Sequence, residues 1–313
     1  MKKILTFLSV AVLALVIGAG CSTNSPQPSP GQSANQPEPS VRVAATIFPL
    51  YDIVKTVGGE HVAATLILPP GNSPHTFELT PKVTKELAEV SHIFSIGQGI
   101  DTWVAQAKNI APNASISTVD QGIALHETVE HAEEEGHTEE EEEHGPIDPH
   151  YWLNPMNGIT IAKNVADQLA NLDPEHATEY QANAAELITE LREKNEVWKE
   201  TLANVNKKEL ITFHDSFYYF ADHFGLSVVA TFEPFPGKEP TPQYLKKVQE
   251  IMQEHNISTL FLEPQLSEQA VRAFANDTGA TIAVLDPLGG IDNRQGYIDL
   301  IQYNVETIAN TLR

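Results

Sequence analysis

The stretch Asp173–Val205 reads DPEHATEYQANAAELITELREKNEVWKETLANV. Asp173 followed by Pro174 is a cap residue with proline at the first helical position. Beyond Pro174 the run holds neither Gly nor Pro, and its apolar residues recur at helical spacing. About 30 residues at 1.5 Å each make a helix of roughly 45 Å. Among short strands, so long a helix reads as a rigid strut between two lobes rather than as packing within one.

Both flanks of this helix alternate between strand-like and helical runs. Upstream, strands are expected at 41–47, 63–68, 92–96 and 115–119, with helices at 48–57, 82–90, 100–109 and 158–171. Thr80-Pro81 caps the second of these helices. Downstream, strands are expected at 209–213, 227–232, 259–263 and 281–285, and helices at 216–224, 242–255, 268–278 and about 295–312. Thr241-Pro242 and Ser267 serve as caps. Alternation of this kind implies an α/β fold with mainly parallel sheets, here in two lobes. The expected division is a first lobe over 41–172, the connecting helix over 173–205 and a second lobe over 206–313.

The first 40 residues differ in character. Met1-Lys2-Lys3 is basic, and Ile4–Ile17 is an apolar run of signal-peptide length, too short for a membrane span. A signal peptide over 1–20 is expected. Cys21 follows directly and is the only cysteine, so no internal disulfide can form. Its position resembles the lipidation site of bacterial lipoproteins, although Gly18 stands where such sites carry an aliphatic residue; ordinary cleavage leaving a free thiol is the alternative. Residues 21–40, rich in Ser, Pro, Gln and Asn, read as a tether to a lipid anchor. The body is then extracytoplasmic.

The formal charge is −23, and His126–Gly145 contributes ten glutamates to it. Elsewhere the chain is only mildly acidic, with no basic stripe for nucleic acid. Acidity suits a cation ligand and equally suits solubility. The segment 126–146 has almost nothing apolar to bury and repels itself, which describes a solvated loop. Its His126, His131, His137 and His144 among many carboxylates could bind divalent metal weakly.

Metal-capable side chains also fall at the carboxyl ends of the expected strands, where ligands bind in open parallel sheets. His75 follows the second strand and His150 follows the acidic loop. His214 follows the strand at 209–213, and Asp286 the strand at 281–285. One candidate ligand comes from each quarter of the body. Three imidazoles and one carboxylate suit tetrahedral Zn2+ better than Mn2+. Glu263 is a rival carboxylate, read as a partner that orients an imidazole. A histidine after a strand can equally cap a helix, and Asp286 before Pro287 can simply start a turn. His-Glu-x-x-His and Gly-x-Ser-x-Gly are both absent from the sequence, so a hydrolase is not expected.

The motifs PHTFELTP (74–81), DPHYWLNP (148–155), TFHDSFYYF (212–220), EPQ (263–265) and LDPL (285–288) occur in this order. Together they resemble the zinc-specific solute-binding lipoproteins of bacterial ABC importers, the ZnuA/TroA-like group, over about Val41–Arg313. The resemblance implies two lobes bridged by a long helix and one metal ion as cargo in the cleft. It implies His75, His150, His214 and Asp286 as ligands, His214 standing where manganese members carry Glu. Some zinc members use a Glu beside the first histidine; Pro74 occupies that place here, which favours Asp286. It further implies an ABC permease as partner, and a monomer is expected. A surface adhesin binding host matrix, or Mn2+ as cargo, are the alternatives.

Overall fold

The computed structural model describes residues 39–128, 147–265 and 268–313. The signal segment, Cys21, most of the tether, Ser267 and three of the loop histidines (His131, His137 and His144) lie outside these residues. In the first lobe the chain runs β1 (Val41–Ala45), α1 (Phe48–Gly58), β2 (Val62–Leu66), α2 (Pro81–Leu87), β3 (His92–Ser95), α3 (Val104–Ile110), β4 (Ser115–Thr118) and α4 (Pro155–Leu172). The long helix is α5 (Ala177–Ala203). The second lobe runs β5 (Glu209–Thr212), α6 (Tyr218–Phe224), β6 (Ser227–Thr231), α7 (Pro242–Glu254), β7 (Thr259–Leu262), α8 (Glu268–Thr278), β8 (Thr281–Val284) and α9 (Tyr297–Thr311).

Each lobe carries a four-stranded sheet with every pairing parallel, ordered β2-β1-β3-β4 and β6-β5-β7-β8. The strand order reverses at β1/β3 and again at β5/β7, creating the crevice in which such sheets bind ligands. The inner strands β3 and β7 are buried along their whole length, as parallel strands covered on both faces must be. Thr80 and Thr241 cap α2 and α7 as expected, their side chains accepting from Val83 N and Tyr244 N. The start of α4 differs from expectation: Asn154 accepts from Met156 N and Pro155 opens the helix three residues before Gly158.

The long helix joins the two lobes as expected, and it also packs against both. Helix α5 buries Tyr180, Ala184, Leu187, Ile188, Leu191, Trp198 and Leu202 along one face. That face packs against α1 and α4 of the first lobe and α6 and α9 of the second. The C-terminal α9 also returns to touch α1. One apolar core therefore runs through both lobes, from Val43 and Ile53 through Leu191 to Ile301 and Val305. A smaller core (Ile211, Phe232, Val248, Phe274) covers the other face of the second sheet. Asp173, expected as the cap of the long helix, instead accepts from His176 Nδ1 at 2.7 Å and Tyr180 Oη at 2.8 Å.

Cross-lobe hydrogen bonds bind the halves further. Trp152 Nε1 donates to Pro287 O at 2.7 Å, Tyr297 Oη to Trp152 O at 2.6 Å, and Tyr219 Oη to Asp148 O at 3.1 Å. Gly158 lets α4 approach the Tyr297 ring: a Cβ there would lie 2.4 Å from Oη and 2.5 Å from the nearest ring carbon. Tyr297 is fully buried and cannot retreat. Alanine is the better helix former by about 1 kcal/mol, but overpacking a rigid site costs about 1–3 kcal/mol. Gly158→Ala is thus expected to lower the thermal midpoint; a raised midpoint would show that the rings can give way.

Candidate metal centre

The crevices of both sheets open onto one point. His75 sits in a single 3-10 turn, Pro74–Thr76, which Trp103 fixes by donating from Nε1 to Pro74 O at 3.2 Å. His150 stands just before a turn at Tyr151–Leu153. His214 follows β5 directly, and the Thr212 hydroxyl donates to its carbonyl at 2.7 Å. His75 Nε2 and His214 Nε2 each lie 3.4 Å from His150 Nε2. The three rings are nearly equivalent, with centroids 5.2 to 5.4 Å apart. They form the one group among the described residues in which three or more metal-capable side chains converge.

Two carboxylates stand behind two of these rings. Asp148 Oδ1 lies 2.8 Å from His150 Nδ1 and also accepts from the His150 backbone N–H. Glu263 Oε1 lies 2.7 Å from His214 Nδ1 and accepts from the Ser216 hydroxyl at 3.0 Å. A carboxylate only accepts, so Asp148 takes the His150 Nδ1–H and leaves that Nε2 lone pair for the common centre, while Glu263 faces His214 Nδ1 as a charge partner without a hydrogen bond. Burial disfavours charge on His214, but the negative charge of Glu263, with Asp215 and Glu233 behind, outweighs it. The imidazole is pushed up to about 9. Glu233 is itself pushed up to about 7 by burial, against the Gly237 N–H and the His214 charge.

Glu263, expected to orient an imidazole, lies beside His214. Asp148, which does the same for His150, escaped the sequence reading; the signal was its place two residues before a candidate ligand. Asp286 stands apart from the three histidines. It is fully buried behind them, its Oδ1 accepting from Gln265 Nε2 (2.7 Å) and from the backbone N–H of Leu288 and Gly289 (3.0 Å each). Its Oδ2 lies 2.8 Å from Arg294 Nε. A buried cation therefore holds the carboxylate that the sequence assigned to the metal. Removing one member of a buried ion pair costs about 3–5 kcal/mol. Arg294→Met is expected to destabilise the fold on that scale in chemical denaturation; a change within error would show that the pair is dispensable.

His126 does not hang free in the acidic loop. Its ring stacks on Tyr219 at 4.5 Å, and its N–H donates to Tyr219 Oη. The Glu127–Ile147 bridge and the bond from Asp148 N to His126 O clamp the two feet of the loop beside His150.

The space between the histidines, also lined by Trp152, Glu263 and Gln265, amounts to about 10 Å³. That is about the room of one ion or one water molecule. Zn–N bonds of about 2.0–2.1 Å in a tetrahedron place neighbouring nitrogens about 3.3–3.4 Å apart. The two Nε2 separations of 3.4 Å match that edge.

The chain matches the family described as zinc-uptake complex component A, periplasmic (ZnuA), over residues 43–311. The high-affinity zinc uptake system protein ZnuA of Bacillus subtilis (strain 168) is 28% identical over 312 residues, covering 97% of each chain. The zinc-binding protein AdcA of Streptococcus pyogenes serotype M3 (strain ATCC BAA-595 / MGAS315) is 26% identical over 290 residues, which are 88% of this chain. This chain covers only 56% of the length of that relative. A crystal structure of ZnuA aligns with a TM-score of 0.77 at 28% identity, covering 88% of this chain and 100% of the other. With the family match spanning nearly the whole described body, the chain belongs to the zinc-uptake complex component A (ZnuA) family.

Proposed function

We propose that this protein captures Zn2+ outside the cytoplasm and delivers it to an ABC-type import permease. His75, His150 and His214 hold the ion. The observation that carries this reading is the 3.4 Å spacing of inward-facing Nε2 atoms, two of their rings backed by carboxylates. Three imidazoles favour zinc over manganese, which more usually takes carboxylate-rich sites. The family description and the zinc-uptake name of the Bacillus subtilis relative support the same cargo and a permease partner.

Catalysis forms no part of this reading. A space of about 10 Å³ accepts an ion but no organic substrate beside it. The lobes share a core, so release proceeds by local movement of the loops bearing the ligands rather than by wide hinge opening. Among the described residues no helix is long and apolar enough to cross a membrane. Attachment is assigned to lipidated Cys21, with 22–40 as tether and the protein as a monomer. His131, His137 and His144 supply weaker, auxiliary zinc sites.

The test is metal analysis of protein purified without added metal. One zinc per chain that resists a mild chelator, with any further zinc readily removed, is the expected result. Manganese in its place, or no retained metal, would overturn the assignment.

A further inference from the structure

Three histidines leave a tetrahedral ion one donor short. Asp286, the carboxylate expected there, is engaged by Arg294, Gln265 and two backbone N–H groups and does not line the space between the histidines. Gln265 does line it, three residues beyond the end of β7. Its Nε2 donates to Asp286 Oδ1 at 2.7 Å. Because the carboxylate can only accept, this bond fixes the amide: nitrogen toward Asp286, oxygen at the other end. That oxygen is buried and has no hydrogen-bond partner among the described residues; Asp286 Oδ2 makes no hydrogen bond either, but it faces the Arg294 cation at 2.8 Å. A buried acceptor left unsatisfied is costly, and such groups cluster where something is to be bound. The nearby Glu263 oxygen is already taken by His214 and Ser216.

We propose that the amide oxygen of Gln265 supplies the fourth donor to the ion, and that Asp286, pinned by Arg294, is the positioning residue that aims it. The proposal rests on the three-histidine reading above. Asp286 acts at one remove: it holds the amide nitrogen and so turns the oxygen toward the metal. A neutral fourth donor leaves the site a single compensating charge lower than a carboxylate would, which favours an ion that can later be released.

The test uses the full-length protein, stripped of metal and loaded with one equivalent of Co2+, whose visible absorption reports a four-coordinate site and its ligands. The wild-type spectrum is expected to be intense and insensitive to added azide. In Gln265→Ala the position opens, so azide binds and shifts the spectrum, and zinc affinity falls by about 10–100-fold, the range seen when an outer partner of a metal site is lost. Gln265→Asn, which withdraws the amide by one methylene and guards against misfolding of the alanine variant, is expected to behave alike. Azide insensitivity retained in both variants would overturn the proposal and return the fourth position to another donor, Asp286 foremost. Azide sensitivity of the wild type equal to that of Gln265→Ala would also overturn it, giving the position to solvent. A wild-type spectrum retained in His214→Ala would instead defeat the three-histidine reading itself.

Discussion

Replacing His214 with alanine is expected to weaken zinc binding by more than about a hundredfold. Loss of an outer partner alone typically costs about 10–100-fold in metal affinity, and His214 is one of the three inward-facing imidazoles themselves. Its Nε2 stands 3.4 Å from that of His150, and it is 3% exposed, so no solvent-borne group easily replaces it. Glu263→Gln is a graded companion. The amide removes the negative charge that faces His214 Nδ1 at 2.7 Å, so a loss of about 10–100-fold is expected. Competition titrations with a chromophoric chelator measure both. A His214→Ala dissociation constant within a few-fold of wild type would remove this residue from the site.

Proton release is the second large effect. Burial opposes the charged imidazole, but Glu263 prevails and lifts His214 to about 9. At pH 7.5 the metal-free protein therefore carries a proton on His214 Nε2 that zinc must expel. From about pH 6.5 to 9, affinity should rise about tenfold per pH unit, and about one proton should leave per ion bound. The stability of the metal-free fold has the opposite sign for this group. A folded value raised above the ordinary 6.5 stabilises fully below 6.5, and that contribution disappears as pH rises through about 9. Zinc should thus raise the thermal midpoint more at pH 9 than at pH 7. Calorimetry in buffers of different ionisation enthalpy counts the protons; none released at pH 7.5 would contradict a His214 imidazole raised to about 9.

Much of this architecture was legible in the chain. Strand-helix alternation and the Thr80-Pro81 and Thr241-Pro242 caps announced the two parallel sheets, because these signals are local. His75 and His214 could be singled out because they come after strands, and His150 because it ends the acidic loop, and parallel sheets gather such connections together. That α5 joins the lobes was readable from its length; its packing was not. Length argues for a strut, but only the packing partners show that one face of Tyr180, Leu191 and Trp198 seals a core common to both lobes. The surroundings of Asp286 were hidden for a similar reason. Nothing local to Asp286-Pro287 reveals that Arg294, eight positions on, would fold back to within 2.8 Å of it. Partners supplied by a returning loop are invisible to spacing, as was Asp148 until its 2.8 Å contact with His150 could be measured.

The central claim is that three side chains from distant parts of the chain close around one divalent ion between the lobes. Anomalous diffraction at the zinc edge, from crystals of protein loaded with one equivalent of Zn2+, tests it most directly. A single peak is expected about 2.0–2.1 Å from each Nε2 of His75, His150 and His214. A principal peak on the acidic loop, or one lacking any of these three nitrogens, would contradict it.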